Sequence, residues 1–366
     1  MRISHTLKVT YFFVLSLVLF AYSCEEPTKE EKKKERLSSL GSSIGGAGEI
    51  VLVMDSAQWA GELGEVVYEE VVGKPINTLP QTEPMFKVNV VRPDLLNGFM
   101  NKHRNIVMFT TLDSNSDDSR RMKRYFSDKA IEKVMKGGKT HIQLNRNVYA
   151  KGQAVVLVFA PTEADMIAFL REEENSQKIN RVFNEQENDR VYRELKKAND
   201  PSVARLLDDA VGIKIKSFSG YKKAEETEDF IWLRHIGRDV DYSIFVGRKP
   251  YKDASQFSLD SILAWREEIT KAHLFGDPER KDETYLVTED KIPVESKSLT
   301  LDGRYAVEVK GLWKTKNNTM GGPFVSYVIT DKEGSDLLYI EGFIYAPSRK
   351  KREYMRELEV TLKSLY

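Results

Sequence analysis

Cysteine is almost missing from this chain of 366 residues; Cys24 is the single one. No disulfide can form within the chain, and no cysteine pair can grip a metal. Histidine is scarce as well. His5, His103, His141, His235 and His273 stand far apart, and no two of them share a metal-ligand spacing. Neither sign of charge is in excess, with Lys plus Arg and Asp plus Glu at 56 each. A body without a basic surplus lacks the electrostatic footprint of nucleic-acid binding. Beyond residue 20 no apolar run approaches the roughly 20 residues that cross a bilayer. Nucleic-acid binding, disulfide-stapled folds and multi-span membrane proteins are therefore set aside, and packing alone must hold the body together.

The N-terminus carries a different pattern. Met1 to Lys8 is short and basic, Val9 to Phe20 is almost wholly apolar, and Ala21-Tyr22-Ser23 brings small residues just before Cys24. Basic, then apolar, then small is the order of a secretory signal peptide, here 1–23. Ala21-Tyr22-Ser23-Cys24 resembles a bacterial lipobox, with Tyr22 bulkier than usual. The resemblance implies a diacyl thioether on Cys24, and two acyl chains suffice for stable anchoring. The membrane, reached through that lipid, is thus an expected partner. Glu25 to Arg36 is almost entirely charged, and Leu37 to Gly48 is rich in Ser and Gly. Residues 24–48 are therefore expected to form a flexible tether. Glu25 and Glu26 leave two readings open, a surface-export address or plain solubility.

Hydrophobic periodicity divides the rest. Glu49 to Asp55 suits a buried strand, and Ser56 to Val72 suits a helix with Trp59, Leu63, Val67 and Val71 on one face. Phe86 to Val91, Ile106 to Leu112, His141 to Asn145 and Ala154 to Ala160 read as further strands. Asp113 to Arg121 reads as a mobile polar loop. A long helical region runs from Thr162 to about Ala198, with a break expected near Asn175. Asn199-Asp200-Pro201 interrupts the chain, which places the domain boundary there, giving 49–199 and 200–366. The second part predicts strands at 213–218, 230–238, 242–248, 305–314, 324–331 and 337–346. It also predicts a helix from Leu259 to Leu274 and a final helix after Pro347-Ser348. The expected fold class is α+β. It consists of two α/β sandwich-like halves, with mixed or antiparallel sheets and helices packed on them.

Motifs that would carry chemistry fail on inspection. Gly138-Lys139-Thr140 has Lys133 where a phosphate-binding loop needs glycine. There is no Gly-x-Ser-x-Gly. Asp208-Asp209 and Glu225-Glu226 are adjacent pairs whose members do not face each other. No catalytic residue, metal site or cofactor is expected. Asp55-Ser56-Ala57 and Asp260-Ser261-Ile262 fit a bacterial O-glycosylation pattern at Ser56 and Ser261, and equally fit helix starts, the preferred reading.

Several segments resemble an uncharacterised family of Bacteroidota lipoproteins, known as a domain of unknown function. They are Glu49 to Asp55 with Trp59, Leu79 to Phe86, Ala150 to Gln153, Gly311-Leu312-Trp313, Met320 to Phe324, and Glu341 to Pro347. The resemblance implies localisation in the cell envelope and a lipid anchor; it implies no activity. The last hairpin and helix are also similar to the sandwich of photosystem-associated extrinsic proteins.

The expected function is a lipid-anchored envelope protein, on the outer membrane, acting as a binding or interaction module with an envelope protein or small ligand as partner. The alternative is an envelope enzyme of hydrolase type. The candidate surface combines the Leu79 to Phe86 loop with the Met320 to Phe324 turn, because ordered loops with embedded aromatics often carry function. The candidate binding residues are Trp59, Gln81, Glu83, Trp313 and Phe324.

Overall fold

The computed structural model describes residues 28–366. The signal peptide and Cys24 lie outside the described residues. Helix α1 (Lys29–Ser39) opens with a capping box in which Thr28 and Glu31 satisfy each other's backbone N–H. The Ser/Gly stretch that follows is docked onto the body. Ser43 N donates to Lys151 O at 3.0 Å, Ile44 N to Lys102 O at 3.0 Å, and Arg104 N to Ile44 O at 2.9 Å. The flexible tether expected at 24–48 is thus corrected for 28–48. Composition reported the missing apolar side chains, whereas the docking uses backbone groups that any sequence offers.

The first half is a doubly wound sheet. Its strands are β1 (Glu49–Met54), β2 (Lys87–Val91), β3 (Asn105–Thr111), β4 (His141–Arg146) and β5 (Ala154–Ala160), ordered β2-β1-β3-β5-β4. All pairings are parallel except β4 with β5. β3 and β5 are buried along their whole length, as strands covered on both faces must be. After β1 come α2 (Ser56–Trp59) and α3 (Glu62–Val66), which continues as a π-helix over Val67–Val72. The single helix expected here is broken because Gly61 and Gly64 let the turns close up. A Cβ at Gly64 would stand 1.9 Å from Trp59 O. Where a mobile loop was expected, Ser116 caps α4 (Asp117–Lys123), and α5 (Asp128–Gly137) follows. The long helical region is two helices, α6 (Glu163–Arg171) and α7 (Glu173–Lys197), with the break at Glu172. Met166, Leu170, Ile179 and Phe183 close one face of the sheet; Met122, Phe126 and Val134 close the other.

Asp200 and Pro201 end one helix and start the next, α8 (Pro201–Val211), with Pro at its first turn. The second half is antiparallel throughout. It contains β6 (Lys222–Glu226), β7 (Phe230–Ile236), β8 (Asp241–Pro250), α9 (Leu259–His273), α10 (Lys281–Thr284), β9 (Leu286–Thr288), β10 (Glu295–Leu301), β11 (Arg304–Thr315), β12 (Gly321–Thr330), β13 (Asp336–Tyr345) and α11 (Arg352–Lys363). The order is β10-β11-β12-β13-β8-β7-β6, with β9 on the end of β11. Helices α8 and α11 cover one face through Leu207, Leu358 and Leu362; α9 covers the other through Ile262, Trp265 and Ile269. A Cβ at Gly342 would stand 2.6 Å from Leu358, so glycine sets how closely α11 lies on β13. Arg266 and Glu341, both without solvent exposure, pair at 2.8 and 2.9 Å and bolt α9 to the sheet. The fold is therefore α+β, with one mixed and one antiparallel sheet and helices packed on both.

Candidate functional site

The two halves meet along α7 and α11, and a loop of the first half closes the seam. Glu83, 3% exposed, accepts from Lys351 N at 2.6 Å and Arg352 N at 3.2 Å, and so caps the N-terminus of α11. Pro84 O accepts from Arg352 Nη1 at 2.9 Å. Beside this seam lies a cavity of about 630 Å³, open to solvent, between α7, α11, the 74–79 loop and the β10–β11 edge.

One wall is an asparagine ladder. Asn180, Asn184 and Asn188 follow at four-residue spacing and share one face of α7. Arg356 forks across two rungs, reaching Asn188 Oδ1 at 2.9 Å and Asn184 Oδ1 at 3.0 Å. Asn180 is 5% exposed, and its Oδ1 has no partner. A buried acceptor left unpaired costs about 1–3 kcal/mol, and only a donor could satisfy this one. Arg181 beside it is exposed and makes no ion pair among the described residues.

The facing wall is built round Glu308, which is 2% exposed. Lys297 stands 2.9 Å from it, Lys363 3.0 Å and Lys310 3.9 Å, and Tyr327 donates its hydroxyl at 2.8 Å. Burial alone would raise the Glu308 carboxyl, but Lys310, Lys363 and Lys297 outweigh it and hold it at about 2. Burial likewise lowers Lys310, and Glu359 with Glu308 more than restores it. Seven Lys and Arg line the cavity against three Glu. Even with Glu308 and Glu353 behind the wall, cations remain in excess, and the cavity favours an anion.

A second concavity, about 310 Å³, lies at the carboxyl ends of β1, β3 and β5, at the topological switch point of the sheet. Each of its three carboxylates accepts at least one hydrogen bond, and none makes an ion pair among the described residues. Asp55 accepts from Ala57 N at 2.8 Å, Gln58 N at 3.3 Å, and the hydroxyl of Ser116. Gln58 Nε2 donates to Thr111 Oγ1 at 2.7 Å and Glu163 Oε2 at 2.9 Å. Glu163 N donates to Asp113 Oδ2 at 3.2 Å. Among the described residues, no group of three or more His, Cys, Asp or Glu is arranged to hold a metal ion.

The five candidate binding residues are not brought together. Glu83 reaches the seam, as a helix cap rather than a ligand contact. Phe324, 1% exposed, borders the groove and lies under the Arg266 guanidinium at 4.1 Å. Gln81 sits exposed on the loop, outside the cavity lining. Trp59 is half-buried against the first-half core. Trp313 is buried, with Nε1 donating to Ile344 O at 3.2 Å. Ser56 and Ser261 have their hydroxyls engaged, with Asp118 at 2.6 Å and Ser258 at 2.8 Å. The helix caps themselves are Asp55 and Ser258. Sequence reasoning missed Asn180, Arg181, Arg356 and Lys363. The available signal was asparagine at four-residue spacing inside a helix, where its propensity is poor.

No curated protein matches this chain. Among solved structures, one from Bacteroides thetaiotaomicron is 11% identical over 42% of this chain, at a TM-score of 0.23. This chain spans 44% of its length. The Ran-binding protein Mog1p of Saccharomyces cerevisiae is 11% identical over 42% of this chain and 90% of its own, at a TM-score of 0.27. A Pseudomonas aeruginosa protein of unknown function is 12% identical over 42% and 96%, at 0.24. Likenesses this low carry nothing about function. Residues 43–196 match a domain of unknown function (DUF8532) and residues 200–364 match another (DUF4837), so the resemblance to uncharacterised domain families holds across both halves.

Proposed function

We propose that this protein is a lipid-anchored component of the cell envelope whose groove between the two halves binds a small anionic ligand. The observation that carries the reading is the excess of cationic over carboxylate side chains round this cavity of about 630 Å³, with Arg181 making no ion pair among the described residues. The anchor rests on the Cys24 sequence pattern, and the outer membrane is the proposed site. A hydrolase reading would have to use the switch-point crevice, where Asp55 is already saturated by serine and backbone donors.

Two experiments test this. Fractionation of cells carrying the native chain or Cys24→Ala should find the first in membranes and the second in the soluble fraction; equal distribution contradicts the anchor. Thermal melting with citrate and with pyrophosphate should show saturable stabilisation beyond that of sodium chloride at matched ionic strength. Stabilisation that merely tracks ionic strength contradicts the groove.

A further inference from the structure

A further cavity, about 120 Å³, opens on the far side of the antiparallel sheet, where α9 ends at His273 and leaves the last rows of the sheet uncovered. Strand register puts its floor on one face. Arg234 lies opposite Ser243, Phe343 opposite Ser243 on the other side, and Tyr345 opposite Asp241. Trp232 and Arg234 stand two residues apart on β7, so they share that face. Trp313 backs the floor, 5.3 Å from Phe343, ring centre to ring centre. Phe275 and Met320 form the rim.

The walls are aromatic, yet the polar groups among them are unused. The buried Trp232 Nε1 has no partner. The Arg234 guanidinium lies 5.2 Å over the Trp232 ring. Neither Arg234 nor Asp241 makes an ion pair among the described residues, and the hydroxyls of Ser243 and Tyr345 make no hydrogen bond there. Arg266, by contrast, pairs with Glu341.

We propose that this pocket binds one ring of a neutral carbohydrate. The aromatic walls of Trp232 and Tyr345 suit the C–H face of a sugar. The donors of Arg234, and the acceptors of Asp241, Ser243 and Tyr345, suit hydroxyls, which both donate and accept. A purely aromatic ligand would fill the slot but strand those polar groups. One positive and one negative side chain leave no preference for a charged ligand. At about 120 Å³ the pocket is smaller than the roughly 150 Å³ cavity that holds benzene, so it admits one face or edge of a sugar ring and the rest stays outside.

The test is calorimetric titration, with tryptophan emission in parallel, of the folded chain with the methyl glycosides of glucose, galactose, mannose and N-acetylglucosamine. At least one should bind saturably and shift the emission. Trp232→Ala should weaken it about tenfold or more, whereas Arg181→Ala in the groove should leave it unchanged. Arg234→Ala and Asp241→Ala, at half-buried floor positions, carry the same expectation should Trp232→Ala fail to fold. Lack of binding by every glycoside up to about 50 mM overturns the proposal. So does binding that is insensitive to these variants, or binding of phenylalaninamide in place of any sugar.

Discussion

The groove between the halves and the crevice at the strand ends of the first sheet are both polar concavities, and they differ in what is left over. The crevice sits where doubly wound sheets usually bind ligands. There, however, Asp55, Gln58, Ser116 and Glu163 are tied to one another and to backbone N–H groups. The groove has no such precedent from topology. It nonetheless keeps Asn180 Oδ1 without a partner and Arg181 without an ion pair. Position in a fold raises an expectation of binding; the sign of the charge left without a partner, cationic in the groove and anionic in the crevice, says what each favours.

The largest expected effect is at the groove wall. Glu308 is held at about 2 against an ordinary value of 4.5. A carboxyl depressed on folding stabilises the native state above its unfolded value and loses that contribution as pH falls through the folded one. Glu308→Gln should therefore cost about 3 kcal/mol at neutral pH, with the gap to the native chain narrowing below about pH 4.5. Urea melts at pH 7 and pH 3.5 check it; a gap of the same size at both would mean that the three lysines do not hold the charge.

Next comes the seam. Glu83→Ala leaves Lys351 N and Arg352 N unpaired at the start of α11 and should cost about 2 kcal/mol, read as a lower denaturant midpoint. An unchanged midpoint would separate groove from seam. Arg181→Glu should weaken pyrophosphate binding about tenfold and leave the melting temperature where it was, because its side chain is exposed. The smallest effect belongs to the crevice. Asp55→Ala should cost about 1 kcal/mol as a lost helix cap and leave anion affinity unchanged. A loss of affinity there would reverse the comparison.

Much of the frame was legible from residue patterns. Ile262, Trp265 and Ile269 announced α9, and Leu358 and Leu362 announced the inward side of α11. The buried runs of β1, β3 and β5 were equally plain. β6 and β10 were not, because edge strands such as Lys222–Glu226 and Glu295–Leu301 have mostly exposed side chains, with apolar alternation only at Leu299 and Leu301. Asp117–Lys123 was hidden for a related reason, since its single fully buried apolar residue is Met122. The groove was illegible altogether. Its walls come from α7, α11, the 74–79 loop and β10–β11, segments that only tertiary packing brings together. The aromatics favoured from sequence mostly went to cores, as Trp313 and Phe324 did, and aromatic residue type alone does not tell a core from a site.

The most direct measurement is calorimetric titration of pyrophosphate into the native chain, Arg181→Glu and Asp55→Ala, at one ionic strength. Saturable binding to the native chain and to Asp55→Ala, weakened about tenfold in Arg181→Glu, is the predicted result. Equal binding by all three, or loss with Asp55→Ala alone, would contradict the assignment of the site to the groove.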